Sequence, residues 1–293
     1  MVSQMNIRRK GFYLLGAALL LTGCVAGERH AETVRREWKA AGIERLEVKG
    51  VNGDLRVEAA DTDRITLVAD VKARGIPPSK RENHGYFETV IDGGTLRIVQ
   101  ERKRVHARFP FISGAKLEID YALQVPERLA LELTTVNGRI ATRGMSGGAE
   151  LKSVNGAIDA EVKGADDFQA TTVNGRIRAT FANDFRGARL KTVNGGVQAI
   201  LPLSASFTCD LSQVNGDFEA SFPLSIHSNP GRRRVSGEVN GGRYELKIST
   251  VNGNVRVQHP DPPPAPPAPP AIQGTPKMPE VPSPPPEPPS PVS

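Results

Sequence analysis

Cysteine is almost absent from this chain: Cys24 and Cys209 are the only two in 293 residues, which excludes a disulfide framework. Aromatic residues make up 5% of the sequence, with a single Trp38, so any core must be built mainly from aliphatic side chains. Histidine is just as sparse, and His30, His84, His106, His227 and His259 show no metal-ligand spacing. The sequence has no G-x-S-x-G, H-E-x-x-H or P-loop pattern. Charge of one sign is also scarce. The formal net charge is +6, and losing Arg8, Arg9 and Lys10 with a leader reduces it to +3. A balance that mild does not point to nucleic acid. The apolar run FYLLGAALLL is too short for an ordinary membrane span.

That run is nevertheless informative. A basic segment, a short apolar segment and small residues before Cys24 form a secretory signal over residues 1–23. The ending Leu21-Thr22-Gly23-Cys24 resembles the bacterial lipoprotein lipobox, which implies cleavage before Cys24 and lipid on its thiol. Residue 25 is Val rather than Asp, so outer-membrane anchoring is expected over inner-membrane retention. Cys209 then has no partner in the chain and occupies the same inward position as Leu131, Ala149, Phe168 and Ala188, a core role.

The chain is organised around Val-Asn-Gly. Copies begin at Val51, Val136, Val154, Val173, Val193, Val214, Val239 and Val251. From Val136 to Val214 the intervals are 18, 19, 20 and 21 residues, the signature of a stacked array. Leu133, Leu151, Ala170, Leu190 and Leu211 precede the Val by three places, and Ile140, Ile158, Ile177, Val197 and Phe218 follow it by four. Alternation on both sides of each Asn-Gly reads as strand, turn, strand. The expected turn pairs are Asn52-Gly53, Asn137-Gly138, Asn155-Gly156, Asn174-Gly175, Asn194-Gly195, Asn215-Gly216, Asn240-Gly241 and Asn252-Gly253, with Gly supplying positive φ.

Two all-β architectures fit this unit. In an antiparallel hairpin meander the two arms pair with each other. In a β-solenoid each arm pairs with its copy in the next rung, which explains identical residues at identical positions and is the favoured reading. Thr135, Ser153, Thr172, Thr192 and Thr250 would then stack into one row, expected on the surface among ladders of Thr, Ser, Lys and Arg.

Four segments follow: a lipoprotein signal (1–23), a polar tether (24–42), a β-solenoid repeat domain (43–258) and a Pro-rich tail (259–293), expected to be disordered. Within the body, Leu46, Val48, Leu55, Val57, Ile65, Leu67, Ala69 and Val71 mark short strands, FETVIDGGTLRIVQ reads as strand, Gly-Gly turn, strand, and residues 74–86 as loop. The basic runs Arg102-Lys103-Arg104 and Arg232-Arg233-Arg234 read as solvated loops. The pair Asp166-Asp167 and its neighbour Asn183-Asp184 read as polar return turns rather than a carboxylate site.

The repeats, with LEVKGVNGDLRV and IDYALQVPERLALELTTVNGRI, resemble the bacterial DUF4097 family, toastrack-like proteins regarded as adhesins, over roughly Ile43 to Val257. The resemblance implies a right-handed, single-stranded β-solenoid in the envelope and brings no catalytic, cofactor or metal residues. The expected function is a lipid-anchored, non-enzymatic adhesin-like binding or scaffold module. Its expected partners are the membrane, through the lipid, and an envelope glycan, cell wall or protein. An envelope-stress accessory binding lipids or cationic peptides is the alternative. A carbohydrate-active enzyme, which some β-helices are, is a third and less favoured reading.

Overall fold

The computed structural model describes residues 29–74, 86–100, 116–182, 184–229 and 232–260. The signal with Cys24, the run 102–104, Asn183 and nearly all of the Pro-rich tail therefore lie outside the described residues.

The alternating pattern produces strands throughout. They are β1 (Arg29–Lys39), β2 (Arg45–Lys49), β3 (Leu55–Ala60), β4 (Arg64–Arg74), β5 (Phe87–Asp92), β6 (Thr95–Gln100) and β7 (Lys116–Pro126). Next come β8 (Ala130–Asn137), β9 (Ile140–Met145), β10 (Ala149–Asn155), β11 (Ile158–Val162), β12 (Phe168–Thr171), β13 (Ile177–Phe181), β14 (Ala188–Lys191) and β15 (Val197–Ile200). The last are β16 (Phe207–Asn215), β17 (Phe218–Ala220), β18 (Ser225–Asn229), β19 (Arg232–Val239), β20 (Tyr244–Asn252) and β21 (Val255–Gln258).

The arms of a repeat do not pair with each other. Leu151 of β10 lies opposite Leu133 of β8 and Ala170 of β12, its equivalents in the adjoining rungs. Across the corner, Ile158 of β11 lies opposite Ile140 and Ile177. All these pairings are parallel, so the molecule is a β-solenoid and the hairpin alternative is excluded. One arm of every rung joins a ten-stranded sheet, β1-β4-β7-β3-β9-β11-β13-β15-β21-β17. The other joins an eleven-stranded sheet, β18-β19-β16-β20-β14-β12-β10-β8-β2-β6-β5. Their inward residues close a thin core between them, with Leu46, Leu55, Leu133, Ile140, Leu151, Ile158, Leu211 and Val255 fully buried. Each such aliphatic side chain contributes about 1.5–3 kcal/mol.

The expected tether departs from this reading. Residues 29–39 form β1, antiparallel to β4 over eleven residue pairs. Its polar appearance has a simple cause: an edge strand over the sheet needs few apolar residues, and Val34 and Trp38 supply the packing. The Gly93-Gly94 turn between β5 and β6 has φ of 53° and 73°, as the FETVIDGGTLRIVQ pattern requires.

The order of rungs in space differs from their order in the chain. Strands β20 and β21, the last rung, lie between β14/β15 and β16/β17. At the other end the first rung, β2/β3, is enclosed by β6/β7 on one side and β8/β9 on the other. Antiparallel strands close three of the four sheet ends: β1 and β4 beyond β7, β5 beyond β6, and β18 and β19 beyond β16, while β17, parallel to β21, ends the ten-stranded sheet. Edge-to-face aromatic contacts run through the far corner, with ring centroids 5.6 Å (Phe168–Phe181), 5.0 Å (Phe181–Phe185), 5.8 Å (Phe185–Phe207) and 5.3 Å (Phe207–Phe222) apart.

The corner glycines are required for a different reason from the one their sequence suggests. Positive φ occurs at Gly53 and Gly216, but Gly138, Gly156, Gly175, Gly195 and Gly253 are not in that region. Instead, a Cβ on Gly138, Gly156 or Gly175 would fall closer than 3.0 Å to the carbonyl oxygen of the corner glycine one rung before it. Backbone stacks directly on backbone there, and neither neighbour can give way. Gly156→Ala should therefore lower the stability by about 3 kcal/mol. Gly42→Ala, where a Cβ meets nothing within 4 Å and only the φ of +81° is unfavourable, should cost less. Urea midpoints of the two variants check this ordering.

Candidate functional site

The Val-Asn-Gly corner carries the most regular set of side chains in the molecule. Seven asparagines form one hydrogen-bonded file, in which each Nδ2 donates to the Oδ1 of the preceding rung. The links are Asn137 to Asn52 (2.8 Å), Asn155 to Asn137 (2.9 Å), Asn174 to Asn155 (2.8 Å) and Asn194 to Asn174 (2.9 Å). The file continues through Asn252 to Asn194 (2.9 Å) and Asn215 to Asn252 (2.8 Å), and Asn52 donates to the Leu117 carbonyl at 3.2 Å. The amide dipoles point one way, so each link polarises the next. The backbone pairs through the corner as well: Asn174 N–H donates to the Val154 carbonyl (2.8 Å) and Gly175 N–H to the Asn194 carbonyl (3.1 Å).

The eighth copy is different. Asn240 has a φ of 49°, and its Nδ2 donates to the carbonyls of Leu203 (3.0 Å) and Ala205 (2.9 Å). Val239 is buried and ends β19, so Asn240-Gly241 is a crossover turn carrying the chain from β19 to β20, not a rung corner. The irregular intervals of 25 and 12 residues on either side of it are the signal in the sequence.

The hydroxyl row before Val has the opposite placement to the one expected. Thr135, Ser153, Thr172, Thr192 and Thr250 are buried, not surface residues. Their hydroxyls donate to corner-glycine carbonyls in the adjoining rung, for example Thr172 to Gly156 and Thr192 to Gly175, both at 3.0 Å. In the outermost motif rung Gln213 takes this place, its Nε2 donating to the carbonyls of Gly253 (2.8 Å) and Asp217 (3.2 Å). Val is the exposed partner: Val154, Val173, Val214 and Val251 are 38–42% exposed. Strand alternation accounts for the inversion. Counting back from the corner, Leu133 and Thr135 share the inward phase, leaving Thr134 and Val136 outside. The corner thus presents an aliphatic row beside a file of exposed amides.

Outward charges on both faces are matched across rungs. Arg139 and Arg176 reach Asp159 at 3.2 and 3.8 Å, Arg256 reaches Glu219 at 3.0 Å, and Lys247 reaches Asp210 at 3.7 Å. Glu47 accepts from Lys49 and, at 2.7 Å, from Arg97. The Lys49 hydrogen bond, against the opposing effect of burial, holds its carboxyl below the usual range. At the start of the Asn file a shallow depression is lined by Asp54, Lys116, Glu118 and Asp120. Burial works against the Asp120 charge, but Lys72 Nζ at 2.9 Å and the Asp54 N–H at 2.9 Å outweigh it and lower its pKa. Among the described residues no His, Cys, Asp and Glu cluster could hold a metal.

The remaining sequence candidates are dispersed. Asp166 lies 3.5 Å from Arg186 in a return turn, and Asp167 has a φ of 58° there. Cys209 is buried, and that burial, with the adjacent Asp210 charge, pushes its thiol up to about 12. Arg233 donates to the Gly216 carbonyl at 3.1 Å, where a further rung would place a hydroxyl, and Arg234 lies 4.0 Å from Asp210.

Architecture and corner together define a ladder-stacked β-solenoid. Residues 127–258 match the family model Toastrack DUF4097, the family this stretch is similar to. Solved structures similar to the chain include a candidate cell adhesion protein from Clostridium sporogenes, with 9% identity over 79% of this chain and 100% of that one and a TM-score of 0.45. A candidate adhesin from Bacteroides fragilis has 10% identity over 78% and 97%, with a TM-score of 0.35. A candidate lipid-binding protein from Parabacteroides distasonis has 14% identity over 78% and 97%, with a TM-score of 0.28. No curated protein matches the chain.

Two substitutions test the electrostatics of this edge. Asn174→Asp keeps the acceptor for Asn194 but sets a carboxylate against the Asn155 oxygen, so stability should drop by about 1–3 kcal/mol at neutral pH. Protonation restores a donor, which raises the folded-state pKa, so the loss should shrink as pH falls through that value in urea titrations. Asp120 has the opposite sign. Its lowered folded pKa contributes stability above the unfolded pKa that is lost as pH falls through the folded one. Asp120→Asn should accordingly flatten the acid limb of the stability profile.

Proposed function

We propose that this protein is a lipid-anchored, non-enzymatic binding module of the bacterial cell envelope, held by Cys24 and placed on the outer membrane. One observation carries the binding part of this reading. The unbroken Asn file keeps seven rungs in register, so outward residues recur at one-strand spacing, about 4.8 Å. An evenly spaced, rigid edge suits an extended ligand that is itself a repeat. Many weak, equal contacts then add without any of them being strong. A polymeric envelope glycan has that character, and the exposed Val row with its flanking amides offers apolar and hydrogen-bonding contacts to each unit. The Leu-Thr-Gly-Cys sequence supports the anchor, and Val25 in place of Asp supports the outer-membrane placement.

Two measurements test this reading. Cys24→Ala should abolish labelling by fatty acid and move the protein from the membrane fraction to the soluble one. The mature chain should co-sediment with purified cell-wall sacculi, and Val154→Glu with Val173→Glu and Val251→Glu should release it while leaving the circular-dichroism spectrum unchanged. A chain that stays in the supernatant, or that degrades the glycan, overturns the binding assignment.

A further inference from the structure

The last rung of the chain sits in a slot. Strands β20 and β21 are hydrogen-bonded on both sides: to β14 and β15, with Leu190 opposite Ile248 and Ala199 opposite Val257, and to β16 and β17, with Leu211 opposite Ile248 and Ala220 opposite Val257. Asn252 is likewise held from both sides, through Asn194 and Asn215, and Thr250 donates to the Gly195 carbonyl at 3.2 Å. The chain makes β16 to β19 before it makes this rung, so those strands must leave the slot open, or yield it, when residues 244–258 arrive.

Two features make the slot exchangeable. Its contacts are those of any Val-Asn-Gly rung, because both walls present the same Leu, hydroxyl or amide, Asn and Gly positions. The connection into it is short and conformationally demanding: Asn240, Gly241 and Gly242 have successive φ values of 49°, 84° and 61°. A short hinge leaves little slack for return to the chain's own slot, which favours exchange of the element it leads to. The same rung from a second chain reproduces every contact of the slot.

We propose that residues 244–258 are a swappable rung, which one copy of this chain can insert between β14/β15 and β16/β17 of another. The partner is a second copy of the chain. Such an exchange would couple neighbouring anchored molecules through their cores, independently of any ligand on the Val-Asn edge.

Lys191 and Ser249 are Cα partners across the slot, on the outward face. Parallel neighbours lie about 4.8 Å apart, within disulfide reach. Mature chains carrying Cys24→Ser with either Lys191→Cys or Ser249→Cys are mixed, unfolded in urea, refolded together at high concentration and oxidised. The swap predicts that the mixed 191–249 dimer dominates over the 191–191 and 249–249 dimers. It also predicts that mixing without unfolding yields no such bias. Deleting Gly241 and Gly242 removes the slack for intramolecular return, so the solution mass should double. Statistical proportions of the three disulfides after refolding, or a hinge-deleted chain that folds as a monomer, would overturn the proposal.

Discussion

Direct backbone contact at the corner is the constraint on which the rest of the molecule depends. Each corner glycine lies so close to the carbonyl of the one before it that no side chain can stand between them. That approach brings the Asn amides to 2.8–2.9 Å of one another and the buried hydroxyls within reach of the glycine carbonyls. Polar groups at the corner are thereby satisfied rung to rung, in a place where most folds rely on solvent. The cost is intolerance: one added methyl group would separate two rungs and their amides together.

The rows on either side of the Asn file divide the work. Inward Thr and Ser are the only small residues that can fill a β-branched or hydroxyl-sized space and still donate to a carbonyl, so their burial is stabilising. Outward Val has no such partner and stays partly exposed. Its value there is local, since β-branched side chains in adjacent strands pack against each other on a pleated surface. An aliphatic row with an amide row beside it is then available for an external ligand.

Tucking the terminal rungs one place inward also has a physical consequence. A rung at the end of a solenoid offers an unpaired edge, and edges invite association. Here antiparallel strands close three of the four sheet ends, β17 being the last strand of the ten-stranded sheet, and the first and last Val-Asn-Gly rungs are enclosed between others. The enclosure protects the edges but makes the last rung dependent on a slot that any identical rung can fill.

Much of this was legible beforehand. The recurrence of Val-Asn-Gly with Leu three places before and Ile or Val four places after established strands, corners and stacking, because period-two alternation allows one inward face per arm. The inward position of Cys209 followed from the same phase. The burial of the Thr row was open to the same reading, since Thr135 shares the phase of Leu133. Two features were decided only in three dimensions. An edge strand such as β1 carries little apolar pattern of its own because its neighbour supplies the core. The order of rungs in space depends on which edges are free when each is made, and equal motifs fit equally well beside one another. Thus local pattern determined the unit, and only long-range pairing decided that the final unit lies inside the stack, not at its end.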